Sequence, residues 1–133
     1  MVKIGVKQLV AEANAEIVTH SVDEVKALQG DPDVMLVDIR DIRELQREGT
    51  IPGAVHAPRG MLEFWVDPES PYYRDIFGKG KKTIFFCAAS LRSALATQTL
   101  QRMGLENIAH MDGGFAAWKE AGGEIEPLPE KKK

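Results

Sequence analysis

Short apolar runs separated by amphipathic segments organise the chain. The runs at 34–38, 83–87 and 107–111 are almost continuously apolar, which is typical of strands buried on both faces of a sheet. A shorter run at 55–57 follows a Pro-Gly turn and predicts a further strand. Between these runs, apolar residues recur at helical spacing. The predicted helices cover residues 8–17, 22–28, 41–47, 92–103 and 115–121.

Capping and stop signals support these boundaries. Ser21 and Glu24 have the spacing of a capping box, which predicts a helix start at Val22, and Gly49 is a stop signal for the preceding helix. One face of the 92–103 helix is apolar and is expected to point into the core; it carries Leu95, Ala96, Leu100 and Met103. The 60–80 segment is irregular, apart from a predicted helical turn at 61–65.

Strand and helix alternate along the chain. This order predicts an α/β fold of three layers, in which helices cover both faces of a mostly parallel central sheet. We expect a helical extension at residues 1–20, the α/β domain at 21–126, and a flexible tail at 127–133.

Length and charge narrow the class of protein. The 133 residues suit one domain, and no apolar run is long enough to span a bilayer. A net charge of −3 without a basic cluster argues against nucleic acid as a partner. The first 21 residues carry Glu12 and Glu16 instead of an apolar leader, and one cysteine cannot form an internal disulfide. We therefore expect a cytoplasmic protein without a membrane partner.

Cys87 is the candidate for chemistry. It stands at the carboxyl end of the 83–87 strand, just before the helix predicted to begin at Arg92. Ligand sites of parallel α/β sheets lie beyond the carboxyl ends of strands, and a helix N-terminus favours anions. This place favours the reactive thiolate, and Arg92 with the loop amides could hold an anion against the sulfur. The residues alone leave a second interpretation open, which is an inert cysteine buried in the core.

Four segments of the chain form an ordered set. They are Asp38-Ile39-Arg40 with Glu44, the turn at 49–54, the Cys-x-x-x-x-Arg-Ser loop from Cys87 to Ser93, and the closing segment at 111–118. In this order, from about Ser21 to Glu126, the set resembles the single-domain rhodaneses, a family of sulfurtransferases. The resemblance implies the rhodanese-like form of the three-layer α/β fold.

The resemblance also implies a chemistry. Family members use the loop cysteine to take the outer sulfur from a donor such as thiosulfate, and the resulting persulfide passes it to cyanide or another thiol. By position, Cys87 is the nucleophile. The residues that would bind the sulfur and its donor are Ala88, Ala89, Ser90, Leu91 and Arg92. Those that would support the loop are Asp38, Arg40, Glu44 and Ser93. We expect no cofactor and no metal, because the persulfide carries the sulfur from a small-molecule or protein donor to its acceptor.

Two other functions stay open at this point. Dual-specificity phosphatases of the cell-cycle type resemble the same fold, but they carry five residues between Cys and Arg, whereas this loop has four and no Asp to serve as a general acid. A rhodanese-like binding module with little turnover is the other alternative. The presence of both Cys87 and Arg92 favours catalysis.

Two features of the loop differ from many relatives. Ser90 stands where many carry Gly, so a left-handed backbone there would be strained by about 1 kcal/mol. Arg92 is the loop's single charge, so a doubly charged donor such as thiosulfate should bind weakly. The natural donor is then expected to be a protein or small-molecule persulfide.

The irregular segment offers Arg59, Phe64 and Trp65 as pocket-lining residues, with Arg59 as a second cation for the donor. The alternative interpretation is a surface arginine beside two aromatic rings that fill the core. Apolar residues at 61–65 would also suit a homodimer contact.

Other polar residues are expected to serve structure. Arg40 and Glu44 are four residues apart and are expected to pair. His20, His56 and His110 are scattered singly, without metal-ligand spacing. His56, which follows the Pro-Gly turn, is interpreted as a hydrogen-bonded, partly buried side chain.

Overall fold

The apolar runs form a five-stranded parallel sheet in the computed structural model, which describes residues 1–128. The strands are β1 (Thr19–His20), β2 (Val34–Asp38), β3 (Val55–His56), β4 (Lys82–Phe86) and β5 (Ile108–Met111). Their order across the sheet is β1-β5-β4-β2-β3, and each neighbouring pair is parallel. The α/β fold expected from the alternation of strand and helix is confirmed.

Helices cover both faces of this sheet. Within the described residues they are α1 (Val6–Glu16), α2 (Val22–Leu28), α3 (Ile42–Glu48), α4 (Leu62–Val66), α5 (Leu91–Arg102) and α6 (Gly114–Glu120). Two 3-10 turns, Arg59–Met61 and Asp75–Gly78, lie in the irregular segment. On one face α1 and α4 pack against α5, and on the other α2 packs against α6.

Local capping explains several helix starts. Ser21 and Glu24 form the expected capping box at α2, and Asp41 forms a second one with Glu44 at α3. At the end of α3, Gly49 adopts φ 80°, a backbone angle that glycine reaches at little cost. These local signals are why the sequence places α2 and α3 within about one residue of their observed bounds.

Alternate residues of β4 point into two cores. Phe85 packs in the cluster that contains Leu100 of α5, whereas Phe86 packs in the cluster that contains Trp118 of α6. Two details differ from the sequence prediction. Met103 is 46% exposed instead of inward, because α5 ends at Arg102. The β1 strand was not predicted, because two residues carry no hydrophobic pattern.

The topology brings the carboxyl ends of three strands to one edge of the sheet. Asp38 of β2 lies opposite Phe86 of β4, and Phe85 lies opposite His110 of β5. Cys87 follows β4 directly at this edge. Within residues 1–128, none of the helices has both the length and the apolar character needed to cross a bilayer. The predicted tail extends from 127, and its residues 129–133 lie outside the described part of the chain.

Candidate active site

Cys87 is buried at the base of the β4–α5 loop, with 1% of its surface exposed. Its Sγ accepts a hydrogen bond from the Ser93 amide at 3.3 Å, and the Ser93 hydroxyl lies 3.6 Å from the same sulfur. A backbone N–H aimed at a sulfur favours the thiolate over the thiol. The core and the loop meet at this residue, because Cys87 packs in the same cluster as Phe85.

The backbone amides of the loop are available to bind a ligand. Within the part of the chain that the structure describes, the amides of residues 88–92 have no hydrogen-bond acceptor. The carbonyls that would continue α5 backwards are already occupied: Cys87 O accepts from the Phe115 amide at 2.7 Å, and Ala88 O accepts from the Ala116 amide at 3.0 Å. Free amides next to a thiol suit a bound anion.

Ser90 gives the loop its turn. It is the residue that precedes α5, and its backbone adopts φ 76° and ψ −3°, in the left-handed region. A non-glycine residue pays about 1 kcal/mol for this conformation. The side chains on either side of it, Ala89 and Leu91, are exposed, so the loop presents an uncharged surface to solvent.

Arg92 lies in the first turn of α5 and joins Glu44 of α3. Its two terminal nitrogens donate to the two carboxylate oxygens of Glu44 at 2.7 and 3.1 Å. These hydrogen bonds lower the pKa of Glu44, against the effect of burial. They also raise the pKa of Arg92, and attraction to Cys87 adds a smaller part. Arg92 is therefore a fixed cation beside the sulfur, already paired with one carboxylate.

Asp38 and Arg40 form a buried network behind the loop. Arg40 donates to both carboxylate oxygens of Asp38, at 2.8 Å in the shortest contact, and to the carbonyl of Gly49 at 2.7 Å. Thr50 donates its hydroxyl to Asp38 at 2.8 Å. The expected pairing of Arg40 with Glu44 is wrong, because Glu44 turns to Arg92 while Arg40 is held by Asp38 on its own strand end.

This network reaches the loop through α6. The Arg40 guanidinium lies 4.1 Å from the centre of the Phe115 ring, a cation–π contact, and the Phe115 amide holds Cys87 O. A side chain on Gly114 would meet the backbone of Cys87 and Ala88. The closing Gly-Gly-Phe segment thus packs directly on the strand end that carries the cysteine.

A hydrogen-bonded chain runs from Ser93 to the N-terminal segment. The Ser93 hydroxyl lies 2.9 Å from His110 Nδ1, on the neighbouring strand β5. His110 Nε2 in turn contacts Asn14 Oδ1 at 3.1 Å and Thr19 Oγ1 at 3.2 Å. Sequence reasoning missed this connection, because the residues are far apart along the chain and meet only where β1 pairs with β5 and α1 packs against α5.

The irregular segment contributes less to the site than the other predicted residues. Arg59 donates to Glu63 at 2.9 Å, which leaves its charge paired. Phe64 is 48% exposed and makes an edge contact with Tyr72. Trp65 packs against the core beneath Arg74. Within residues 1–128, none of the hydrogen bonds, ion pairs or ring contacts of these three side chains reaches the Cys87 loop, although Trp65 packs against the core cluster that contains Cys87.

The other histidines lie elsewhere. His56 Nε2 contacts the carbonyl of Arg40 at 2.7 Å, and His20 Nδ1 lies 3.7 Å from Glu24. Among the described residues, no three side chains of the metal-binding types gather as a metal site would require.

The fold and the site define an α/β domain with a loop cysteine at the carboxyl edge of a parallel sheet. The chain belongs to the rhodanese-like domain family, whose model matches residues 21–121. It is similar to a protein of unknown function from Rhodopseudomonas palustris, described as a possible tyrosine phosphatase, with 52% identity and a TM-score of 0.92 over 95% of this chain and 97% of that one.

Two relatives carry sulfur-transfer names. The homodimeric polysulfide-sulfur transferase of Wolinella succinogenes is 32% identical, with a TM-score of 0.68 over 92% of this chain and 87% of that one. A mouse thiosulfate sulfurtransferase/rhodanese-like domain-containing protein is 30% identical over 71% of this chain. The chain spans 64%, 54% and 30% of the lengths of three curated relatives.

Proposed function

We propose that this chain is a sulfurtransferase that moves a sulfane sulfur from a donor to a thiophilic acceptor through a persulfide on Cys87. The observation that carries the proposal is the Cys87 sulfur held 3.3 Å from the Ser93 amide, beneath a loop whose amides at 88–92 have no acceptor among residues 1–128. Such donors favour the anions of this chemistry, namely the thiolate, the persulfide and the donor itself. Membership of the rhodanese-like family supports the same reaction class.

The reaction consists of two displacements. In the first, the Cys87 thiolate attacks the outer sulfur of the donor and the Sγ–S bond forms. The leaving group departs with the bonding pair: sulfite from thiosulfate, a thiolate from a persulfide, or a polysulfide shortened by one sulfur from polysulfide. In the second, cyanide or a thiolate attacks the outer sulfur of the persulfide, and Cys87 leaves as a thiolate. Charge and electrons balance within each step, so the proposal needs no cofactor.

The charge at the loop favours a donor that brings less negative charge to Arg92 than thiosulfate does. Arg92 is the nearest cation, and Glu44 already occupies both of its terminal nitrogens. A dianion would therefore meet one partly neutralised guanidinium and a nearby carboxylate. A persulfide brings a single charge, and polysulfide, itself a dianion, carries its two charges at opposite ends of a sulfur chain, so that one of them can stay in solvent. The exposed Ala89 and Leu91 suit an uncharged or apolar carrier.

The test is a comparison of donors. The purified protein is assayed with polysulfide and with thiosulfate, cyanide is the acceptor, and thiocyanate is measured. We expect kcat/KM to be at least about tenfold higher with polysulfide, which corresponds to about 1.4 kcal/mol. Cys87→Ser is the control and should have no turnover with either donor. Equal efficiency with thiosulfate would reject the donor assignment, and turnover by Cys87→Ser would reject the proposed nucleophile.

Phosphate-ester hydrolysis is the second candidate, because the similar Rhodopseudomonas palustris protein is described as a possible tyrosine phosphatase. The present loop has four residues between Cys87 and Arg92, which is a small ring for a tetrahedral phosphate. The carboxylate nearest to Arg92 is Glu44, which is held as an ion pair and so carries no proton to donate. Cys87-dependent hydrolysis of p-nitrophenyl phosphate, faster than sulfur transfer, would favour this candidate.

A rhodanese-like binding module remains the alternative without turnover. It predicts that Cys87 reacts with iodoacetamide no faster than a free thiol at neutral pH. The proposed enzyme predicts faster alkylation, because the Ser93 amide and Arg92 stabilise the thiolate.

We propose further that the protein works in the cytoplasm, where a free catalytic thiol stays reduced. A homodimer is also proposed, since the polysulfide-sulfur transferase of Wolinella succinogenes is described as one. The half-exposed Phe64 is a candidate contact. Sedimentation of the wild type beside Phe64→Ser tests this assembly: a wild-type monomer rejects it, and an unchanged dimer in the variant rejects the contact.

A further inference from the structure

A buried histidine stands one side chain away from the cysteine, and the proposed sulfur transfer leaves it unused. His110 is 1% exposed, and its Nδ1 lies 2.9 Å from Ser93 Oγ, the atom that lies 3.6 Å from Cys87 Sγ. Its other nitrogen faces Asn14 and Thr19, at the rim of the molecule. We propose that His110 accepts the Cys87 thiol proton through Ser93 and so prepares the thiolate for attack.

The contact with Asn14 assigns a direction to the hydrogen bonds of His110. Asn14 Oδ1 only accepts, so His110 Nε2 carries the proton of the neutral imidazole. Nδ1 is then the acceptor, and the Ser93 hydroxyl donates to it at 2.9 Å in preference to its other acceptor, the Ser90 carbonyl at 3.3 Å. With its proton directed to His110, Ser93 Oγ is free to accept from the Cys87 S–H. The chain of donors thus points from the thiol to the imidazole.

The proton transfer balances without any other reagent. The S–H bond of Cys87 breaks as its proton passes to Ser93 Oγ, and the hydroxyl proton of Ser93 passes to His110 Nδ1. The products are a thiolate, which accepts from the Ser93 amide, and an imidazolium, whose Nε2–H stays bonded to Asn14 and Thr19. When the cycle regenerates the thiol, the same chain returns the proton.

The surroundings keep His110 in its neutral form, which is the form that can accept a proton. Burial lowers its pKa from the ordinary 6.5, and the carboxylate of Asp112 acts in the opposite direction with a smaller effect. On the side of α5, the His110 ring faces Ser93, and Cys87 lies beyond Ser93. On the side of α1 and β1, it contacts Asn14 and Thr19, which carry no charge. The nearby His20 of β1 is directed towards Glu24. Neutral His110 is therefore the state that meets the thiol at neutral pH.

This proton relay, from Cys87 through Ser93 to His110, also gives the N-terminal segment a role in the site. Asn14 and Thr19 precede residue 21, where the match to the family model begins. They hold the outer nitrogen of the imidazole, and Asn14 is exposed. A change at Asn14 therefore alters the basicity of His110 without entering the core or touching the loop.

The experiment measures how the rate of Cys87 alkylation by iodoacetamide depends on pH, in the wild type and in two variants. His110→Asn keeps an oxygen at the place of Nδ1 that can accept from Ser93, but it cannot take a proton at neutral pH. We expect the midpoint of its profile to move to higher pH by about one unit. A profile that superimposes on the wild type would overturn the relay.

Asn14→Asp is the second variant. The relay and a simple charge effect predict shifts of its midpoint in opposite directions, so a folding defect would not be mistaken for the expected result. A carboxylate that accepts from Nε2–H stabilises the imidazolium, so the relay moves the midpoint to lower pH. A negative charge acting only through space would disfavour the thiolate and move it to higher pH. Ala15→Asp, which adds the same charge at an exposed neighbouring position, is the matched control. A midpoint in Asn14→Asp that stays or rises would overturn the inference.

The inference rests on the proposed function only in taking Cys87 as the nucleophile, and alkylation needs no sulfur donor. Unchanged profiles in a protein that forms the persulfide would remove the relay and leave sulfur transfer standing. Shifted profiles in a protein that forms no persulfide would keep the relay and reject sulfur transfer.

Discussion

Ser90 carries the conformational strain of the loop. It adopts φ 76° directly before α5, where glycine would pay no steric cost. We expect Ser90→Gly to raise the free energy of unfolding by up to about 1 kcal/mol, because relief of the left-handed strain outweighs the added entropy of the unfolded chain. Urea denaturation measures this.

Asn107 provides the comparison for Ser90. It is the other non-glycine residue with positive φ in the described chain, at 58°, and it lies at the start of β5, away from the site. Asn tolerates this region better than Ser, so Asn107→Gly should stabilise less. A Ser90→Gly protein that is less stable than the wild type would mean that the Ser90 side chain contributes a contact the strain argument omits.

Gly114 lets α6 approach the cysteine. A Cβ at this position would lie 2.8 Å from Ala88 O and closer still to Cys87 O. We expect Gly114→Ala to displace the loop, lower sulfur transfer at least about tenfold, and destabilise the protein by more than about 1 kcal/mol. Both the initial rate and the urea midpoint report the change.

Gly122→Ala is the control that separates the strain of a left-handed backbone from displacement of the Cys87 loop. Gly122 has φ 75°, similar to Gly114, but among the described residues a Cβ there would have no neighbour within 4 Å. It should cost about 1 kcal/mol of stability and leave the rate of sulfur transfer unchanged. If both variants lost activity equally, contact with the loop would not be the reason that position 114 is glycine.

At the scale of elements, the Glu44–Arg92 pair joins α3 to α5 across the site. The lowered pKa of Glu44 means that the pair stabilises the fold above the ordinary value of 4.5 and loses this effect as the pH falls through the folded pKa. We expect Glu44→Gln to lower the free energy of unfolding by about 0.5–1 kcal/mol at neutral pH, since the pair is partly exposed. The difference from the wild type should disappear in acid.

Arg43→Gln is the matched change on the same helix. It breaks the exposed pair between Arg43 and Asp41, which solvent screens. Urea denaturation of both variants at neutral and at acidic pH makes the comparison. If Glu44→Gln lowered the free energy of unfolding by the same amount in acid as at neutral pH, the effect would not come from the ion pair.

The elements also mark where sequence reasoning succeeds. The apolar runs of β2 and β4 and the capping box at Ser21 are local signals, and the structure contains each within about one residue. Pairings between elements are not local. Glu44 meets Arg92 instead of Arg40, because the packing of α3 near α5, which no local pattern encodes, decides between two available cations.

The candidate site follows the same division. The strand–loop–helix placement of Cys87 is readable from the chain, whereas the left-handed turn at Ser90 is indicated only by the Gly that many rhodaneses carry at this position. The Ser93–His110–Asn14 chain is not, because it needs β5 beside β4 and α1 against α5, both of which are tertiary facts. A lone histidine in an apolar strand carries no signal of its role.

At the scale of the whole molecule, burial of His110 makes stability depend on pH. Its pKa in the folded state is lowered, so the unfolded chain binds the proton more readily and stability falls as the pH drops below the ordinary 6.5. Urea denaturation, repeated at pH values from about 7 to about 5, should show that the free energy of unfolding falls as the pH falls. His110→Asn should be less stable at neutral pH but have a shallower slope. An equally steep slope in the variant would assign the acid sensitivity to other groups.

The central claim is that Cys87 carries sulfur, and intact-protein mass spectrometry tests it most directly. The protein is incubated with polysulfide and, separately, with thiosulfate, beside the Cys87→Ser variant. The account predicts a gain of one sulfur atom in the wild type alone, more complete with polysulfide and removed by cyanide. A wild-type mass that stays unchanged with both donors, or a cyanide-removable gain in Cys87→Ser, would contradict it.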